Sequence, residues 1–394
     1  MLTYCTRCVM PSTKPDLSFN EQGVCNACLN YENRREVDWD SRRKELETLL
    51  ERYRSKDGKH WDCVIPVSGG KDSTYQVLRM LEMGMNPLCV TATTCDLSEL
   101  GRKNIQNIQN MGVDYIEFTS NRKIRRQLNR ICLTTVGDIS WPEHVSIFTT
   151  PVQVAVRYNI PLIIWGENSQ HEYGGPASAT ENNVLNRRWL EEFGGLLGLR
   201  VSDLIGMEGI EPRHLIPFVY PSDEELQQVG VTGLFLGYYL PWDGLSNALL
   251  AQANGFTSYH KPVEGAMLNY ENLDNHYNGI HDYFKFLKFG FGRATDHACM
   301  HIRRNRITRN DGLDIVKRLD GKFPHEYLGK SLEDILAPLD MTVEEFTKVC
   351  DRFTNKKIFL TDARGNLVKD KHGNLTKLND DNVPASKSPV LQSV

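Results

Sequence analysis

The stretch VIPVSGGKDSTYQVLRML, residues 64–81, sets an apolar run against a glycine turn and then a helix-like pattern. A strand ending at Val67, a turn through Gly69 and Gly70, and a helix beginning near Ser73 make a strand–loop–helix anion site. Free amides and the dipole at a helix start favour negative charge. A Walker A loop places a Ser or Thr directly after its lysine to hold magnesium. Here Asp72 follows Lys71 and the glycine spacing is shorter. A carboxylate at that point repels a γ-phosphate unless a cation lies between them. The loop therefore reads as a grip for magnesium–pyrophosphate as one unit, which puts the bond broken at the α-phosphorus and makes AMP the product.

Around this loop, apolar and helical segments alternate. DCVIPV at 62–67, PLCVTATT at 87–94, DYIEF at 114–118 and IPLIIW at 160–165 read as strands, with helical patterns at 98–111, 122–136 and 146–159 between them. Alternation of this kind predicts a parallel sheet flanked by helices. An earlier helix is expected over 38–55, from Leu46, Leu49, Leu50 and Tyr53. Residues 171–260 are rich in Gly, Pro and Asn and read as short-element structure, and helical patterns dominate 261–358. The aromatic–lysine run HDYFKFLKFGF (281–291) has the spacing of an amphipathic core helix. DARGNLVK (362–369) is echoed by DKHGNLTK (370–377), a pair of surface Gly-Asn turns ahead of a polar tail.

At the N-terminus, Cys5-x2-Cys8 and Cys25-x2-Cys28 match the four-thiolate metal template in both knuckles and in the gap. A closed four-sulfur site reads as structural zinc; four thiolates equally suit an iron–sulfur cluster. The remaining six cysteines are scattered and read as core. The expected division is a metal-binding segment at 1–36, a nucleotide domain at 37–175, a substrate-binding helical region at 176–358 and a turn-rich tail at 359–394.

With 394 residues, 40% hydrophobic and 24% charged content and a net charge of −4, the chain reads as an ordinary globular protein. No basic excess favours nucleic acid, no apolar stretch is long enough to span a bilayer, and MLTYCTRCVMPS lacks the pattern of a signal peptide. A cytoplasmic location is expected, with reduced cysteines.

SGGKDS resembles the pyrophosphate loop of the N-type ATP pyrophosphatases, whose adenine nucleotide alpha hydrolase-like α/β sheet is the expected fold. More specifically, CTRCVMP (5–11), GVCNACLNYE (23–32), PVSGGKDS (66–73), GEN and EYGG (166–168, 172–175), NYENLD (269–274), KFGFGRATDHA (288–298) and IRRNRITRNDG (302–312) together resemble the N-acetyl sugar amidotransferases of lipopolysaccharide and pseudaminic acid pathways, the WbpG- and PseA-like proteins. The match is read to about residue 355.

The resemblance implies conversion of an acetamido group on a nucleotide-linked sugar to an acetamidino group, with ATP as co-substrate and magnesium as cofactor. Ser68, Gly69, Gly70, Lys71, Asp72 and Ser73 are then expected to bind pyrophosphate, with Asp72 a magnesium ligand. Glu167, at the carboxyl end of a strand, is assigned a catalytic magnesium or substrate contact against the alternative of a solvated loop acid. Thr93 and Thr94 are placed to meet the adenosine unless they are plain sheet-end threonines. Asp296 is a catalytic candidate. Glu172, His171, Arg293, His297, Arg303 and Arg304 are candidates for substrate, the arginines for its diphosphate.

No glutaminase signature is visible: there is no N-terminal nucleophile cysteine and no G-x-C-x-G elbow. A separate partner resembling the glutaminase and cyclase subunits of imidazole glycerol phosphate synthase is expected to supply ammonia. Two other readings compete, a tRNA-thiolating enzyme with the same loop and a non-catalytic nucleotide-binding zinc protein. The thiolating enzyme would be expected to show a basic face and a reactive cysteine near the loop.

Overall fold

The computed structural model describes residues 2–169, 172, 174, 175, 184, 185 and 196–378. Its central sheet is built from β1 (Cys63–Pro66), β2 (Pro87–Ala92), β3 (Asp114–Phe118), β4 (Leu162–Trp165), β5 (Val184–Leu185) and β6 (Thr232–Phe235). The spatial order is β3-β2-β1-β4-β6-β5. The first five in that order are parallel, and β5 runs antiparallel to β6. The chain thus walks outward from β1 to β3, then returns to the other side of β1 with β4. Loops leaving β1 and β4 diverge at their carboxyl ends and open a crevice there.

The strands read as continuous apolar runs because both sheet faces are covered. On one face, Cys63, Ile65, Cys89, Leu162, Ile164 and Leu234 pack with Leu46 and Leu50 of α2 (Trp39–Tyr53) and Tyr75, Val77 and Met80 of α3 (Lys71–Glu82). On the other, Val64, Leu88, Val90, Ile163, Trp165 and Phe235 meet Val152, Val154 and Ala155 of α6 (Trp141–Arg157). Two further helices, α4 (Glu99–Gln109) and α5 (Arg122–Val136), complete the crossovers. Asn121 caps α5 by accepting from the Lys123 and Ile124 amides, and left-handed Gly137 ends it. The sheet runs past residue 175, because β6 lies within the stretch read as irregular, where α7 (Gly244–Ala253) also forms.

In the C-terminal part, α8 (Tyr277–Phe289), α9 (Arg293–Arg303), α10 (Arg309–Leu319) and α11 (Val343–Phe353) follow in order. Tyr283, Phe284, Phe286 and Leu287 of α8 are core residues, so the aromatic–lysine run is a packing face. The cysteine segment, with α1 (Asn26–Asn33), has no core of its own. Cys5, Cys8, Val9, Met10 and Val24 share one with Phe291, Ala298, Cys299 and Ile302. The paired turns at 362–377 are present: Asp362 and Asp370 each accept from amides of their own turn, and Leu367 and Leu375 pack on the C-terminal core. Among the described residues no helix is long and apolar enough to cross a membrane.

Candidate functional site

The crevice holds two cavities that meet at the glycine loop. One, of about 330 Å³, lies over the ends of β1, β2 and β4 and is walled by Val67, Ile105, Phe148, Pro151 and Trp165. The other, of about 450 Å³, is polar and is lined by residues 68–73 together with Asn104, His144, Tyr270, Glu271 and Arg293. Ser68, Asp72, Ser73, Ile147, Glu167 and Asp274 border both.

The loop geometry follows from its residue types. Gly69 has φ +83°, and a Cβ there would lie 2.8 Å from the Ile105 amide nitrogen, so only glycine lets α4 approach. Gly70 caps α3, which begins at Lys71, two residues before the expected start. The loop amides therefore lie at a helix N-terminus beside the polar cavity. Ser73 Oγ donates to the Gly70 carbonyl at 3.0 Å.

Opposite the loop, residues 270–275 are fastened to the start of α4. The Ser98 amide donates to the Asp274 carbonyl at 2.9 Å, and Gly101 leaves room for that contact. This brings Glu271 to Lys71. The Lys71 ammonium sits 2.5 Å from Asp72 and 3.2 Å from Glu271. Asn247 Nδ2 donates to Asp72 at 2.9 Å, and His297 Nε2 lies 3.0 Å from Glu271. Burial opposes the charge on Lys71, yet Asp72 and Glu271 hold its pKa well above the ordinary lysine value. Burial also opposes ionisation of Glu271, but Lys71 and His297 keep its carboxyl well below the usual range. Glu167 behaves differently. Burial, then the neighbouring charge of Asp72, pushes it up to about 7. A carboxyl raised by another carboxylate is the electrostatic mark of a place that would accept a cation.

Of the residues expected at the site, residues 68–73, Glu167, Thr94 and Arg293 line the two cavities. Thr93 is turned away: its hydroxyl donates to Glu117 at 3.0 Å, and Glu117 is held by Arg102. Arg293 reaches the polar cavity, but its fork is spent on Asp282 at 2.7 and 3.1 Å. His297 is fully buried and stands behind Glu271. Asp296 is buried against Lys285, and the cavity linings do not include it. Glu172 is clamped by Arg34 and Arg304 and lies outside both cavities. Arg303 donates to the Glu172 carbonyl at 2.8 Å and sits beside Cys8 and Cys299, not beside a substrate space. Arg304 is bound to Glu172 and Asp243. His171 lies outside the described residues. Sequence reasoning missed Glu271, Asn247, Tyr270, Asp274 and His144. NYENLD stands out as a motif, but nothing local to it shows that Glu271 meets a lysine 200 residues earlier.

Cys5, Cys8, Cys25 and Cys28 form a second centre. All four are buried, and their sulfurs lie within 4.8 Å of one another. The Cys5–Cys28 and Cys8–Cys25 separations are 4.0 and 3.7 Å. Tetrahedral zinc with Zn–S of ~2.3 Å has sulfur–sulfur edges of ~3.8 Å. The amides of Arg7, Cys8 and Cys25 point at Cys5 Sγ from 3.3–3.4 Å, as donors to a thiolate would. Arg309 ties the segment down by donating to the Cys8 and Cys5 carbonyls. The cluster can hold a metal such as zinc.

Comparison with known proteins bears on this arrangement in two places. Residues 254–371 match the family described as LPS biosynthesis protein WbpG-like, C-terminal domain. That match runs through the first of the two paired turns, past the point at 355 where the resemblance was read to stop. The chain is also 29% identical over 113 residues to an uncharacterized protein of Methanocaldococcus jannaschii, a match covering 28% of this chain and 39% of that protein.

Proposed function

With residues 254–371 carrying the C-terminal domain of the WbpG-like lipopolysaccharide biosynthesis family, we propose that the chain is an ATP-dependent, AMP-forming amidotransferase. Its substrate in this reading is a nucleotide-linked N-acetyl sugar destined for surface polysaccharide, met in the cytoplasm. One observation carries the reading. Tyr270, Glu271, Asp274 and Arg293 of the matched domain wall the same cavity as the 68–73 loop. A phosphate grip and a family-specific surface facing one space are what joining ATP to a second substrate requires.

An amide oxygen is a poor leaving group, and resonance makes its carbon a poor electrophile. In the proposed reaction the acetamido oxygen attacks the α-phosphorus of ATP, the bond to the β-phosphate oxygen breaks, and pyrophosphate leaves toward the loop. Ammonia adds to the resulting O-adenylyl imidate carbon, a proton is lost, and the C–O bond breaks to release AMP and the amidine. The nucleoside occupies the apolar cavity, with Thr94 at its rim. Lys71, held charged, neutralises the departing pyrophosphate. Asp72 and Glu167 would hold magnesium, which supplies further neutralisation when bound. Glu271 and His297 position Lys71. The cysteine quartet, as structural zinc, staples the N-terminal segment to α9. A separate glutaminase supplies ammonia, and free ammonium replaces it in vitro.

The test is incubation with ATP, magnesium, ammonium and a panel of UDP- and CMP-linked N-acetyl sugars, resolving AMP from ADP. Sugar-dependent AMP, with the sugar lighter by the difference between an oxygen and an NH group, supports the proposal. ADP as product, or AMP only with tRNA, overturns it. The thiolating alternative is disfavoured by the cysteines near the loop: Cys63 and Cys89 are buried, and burial pushes the Cys89 thiol up to about 12.

A further inference from the structure

Away from the loop, three side chains from three parts of the chain converge beside the polar cavity. Asp138 follows Gly137, the left-handed end of α5, where an added Cβ would strike Phe353 at 2.8 Å. That fixed turn brings Asp138 close to His144, near the start of α6, and to His281 of α8. One carboxylate oxygen of Asp138 lies 2.8 Å from His281 Nδ1, and the other lies 3.6 Å from His144 Nδ1. The two imidazoles stand edge to face with centroids 5.0 Å apart. One donor atom from each residue falls within 4.8 Å of the other two. Asp138 is almost fully buried, and its carboxylate also accepts from the Ser140 amide at 2.9 Å. His144 lines the polar cavity.

We propose that Asp138, His144 and His281 form a second metal site, distinct from the cysteine quartet, which takes one divalent transition ion of the zinc class. Two imidazoles and a carboxylate are the donor set such ions favour. Around a tetrahedral ion with ligand distances of ~2.0 Å, neighbouring donors stand ~3.3 Å apart. The carboxylate–imidazole separations, 2.8 and 3.6 Å to the two oxygens of Asp138, lie on either side of that value, and one donor atom from each residue falls within 4.8 Å of the others. Three protein ligands leave a coordination position for water or a substrate oxygen. Because His144 forms part of the cavity wall, that position borders the space shared by the loop and the matched domain. The site does not rest on the proposed amidotransferase reaction.

The full chain, equilibrated with excess zinc and desalted, is analysed for metal by mass spectrometry, as wild type and as Asp138→Asn, His144→Gln and His281→Gln. Two zinc ions per wild-type chain, falling to one in each variant, is the expected result. One ion in the wild type, or two retained in the variants, overturns the proposal. If a variant does not fold, wild-type protein loaded with cadmium-113 decides by NMR. Two resonances, one of all-sulfur and one of nitrogen–oxygen ligation, support the site; the sulfur resonance alone refutes it.

Discussion

Replacing Glu167 with glutamine should make the ligand-free protein more stable, and only at neutral to alkaline pH. Glu167 has its pKa raised from 4.5 to about 7 by burial and by Asp72. An acid raised in the folded state means that the native protein binds more protons than the unfolded chain between those two values. Stability therefore falls as pH climbs from 4.5 to about 7 and stays lower above that. At 1.36 kcal/mol for each pH unit, the cost at pH 8 is about 3 kcal/mol, and neutral glutamine avoids it. Urea denaturation of wild type and Glu167→Gln at pH 5 and pH 8 measures the difference. The variant should gain about 2–3 kcal/mol at pH 8 and about 0.8 kcal/mol at pH 5. Equal gains at both pH values, or a loss at pH 8, would refute the argument that burial and Asp72 together disfavour the ionised Glu167.

Gly69→Ala combines a left-handed φ of +83° with a 2.8 Å clash against the Ile105 amide; we expect about 1–3 kcal/mol of destabilisation and a raised KM for ATP, read by denaturation and steady-state kinetics. Thr94→Val should raise the KM for ATP several-fold while Thr93→Val leaves it unchanged, since only Thr94 faces the apolar cavity. Cys28→Ser should remove one bound zinc and lower the melting temperature by loosening the segment that shares its core with Ala298 and Ile302. Lys71→Met should lower AMP formation by ~10²–10³ in kcat, yet bind magnesium more tightly than wild type in the absence of nucleotide, on the order of tenfold by calorimetry, because the ammonium beside Asp72 is gone.

Sequence patterning carried the sheet wherever burial on both faces left an uninterrupted mark. β1, β2 and β4 are such runs, and α5 matches its expected bounds of 122–136, with Asn121 and Gly137 as its caps. The pattern failed where length or continuity erased the mark. Thr232–Phe235 is four residues long and passes straight into another apolar turn, so periodicity could not separate strand from helix. α6 begins at Trp141, five residues before the expected start. Pro142 sits in its first turn, and the wholly buried Trp141 ring donates to the Leu196 carbonyl, a tertiary contact with no local signature. Thr93 and Thr94 show the smallest scale of the problem. Successive residues leave a strand on opposite sides, and the Thr93 amide, paired with the Phe118 carbonyl, fixes which one faces Glu117.

The loop itself shows what topology adds to a local reading. Asp72 was assigned to a cation and Lys71 to pyrophosphate, each from its charge. In the folded chain the two are bound to each other, and Glu271 completes the pair from the far end of the polypeptide. A buried ammonium between two carboxylates is the arrangement of least cost for all three while no phosphate is present. In the proposed reaction pyrophosphate would compete for the ammonium, and once Lys71 turned to it Asp72 would keep Asn247 and become available to a divalent ion. Anion and cation would thereby be coupled, since each vacates the partner that the other needs. Glu271 belongs to the segment that matches the C-terminal family domain, so in the proposed reaction the strength of that coupling would be set from the wall opposite the loop.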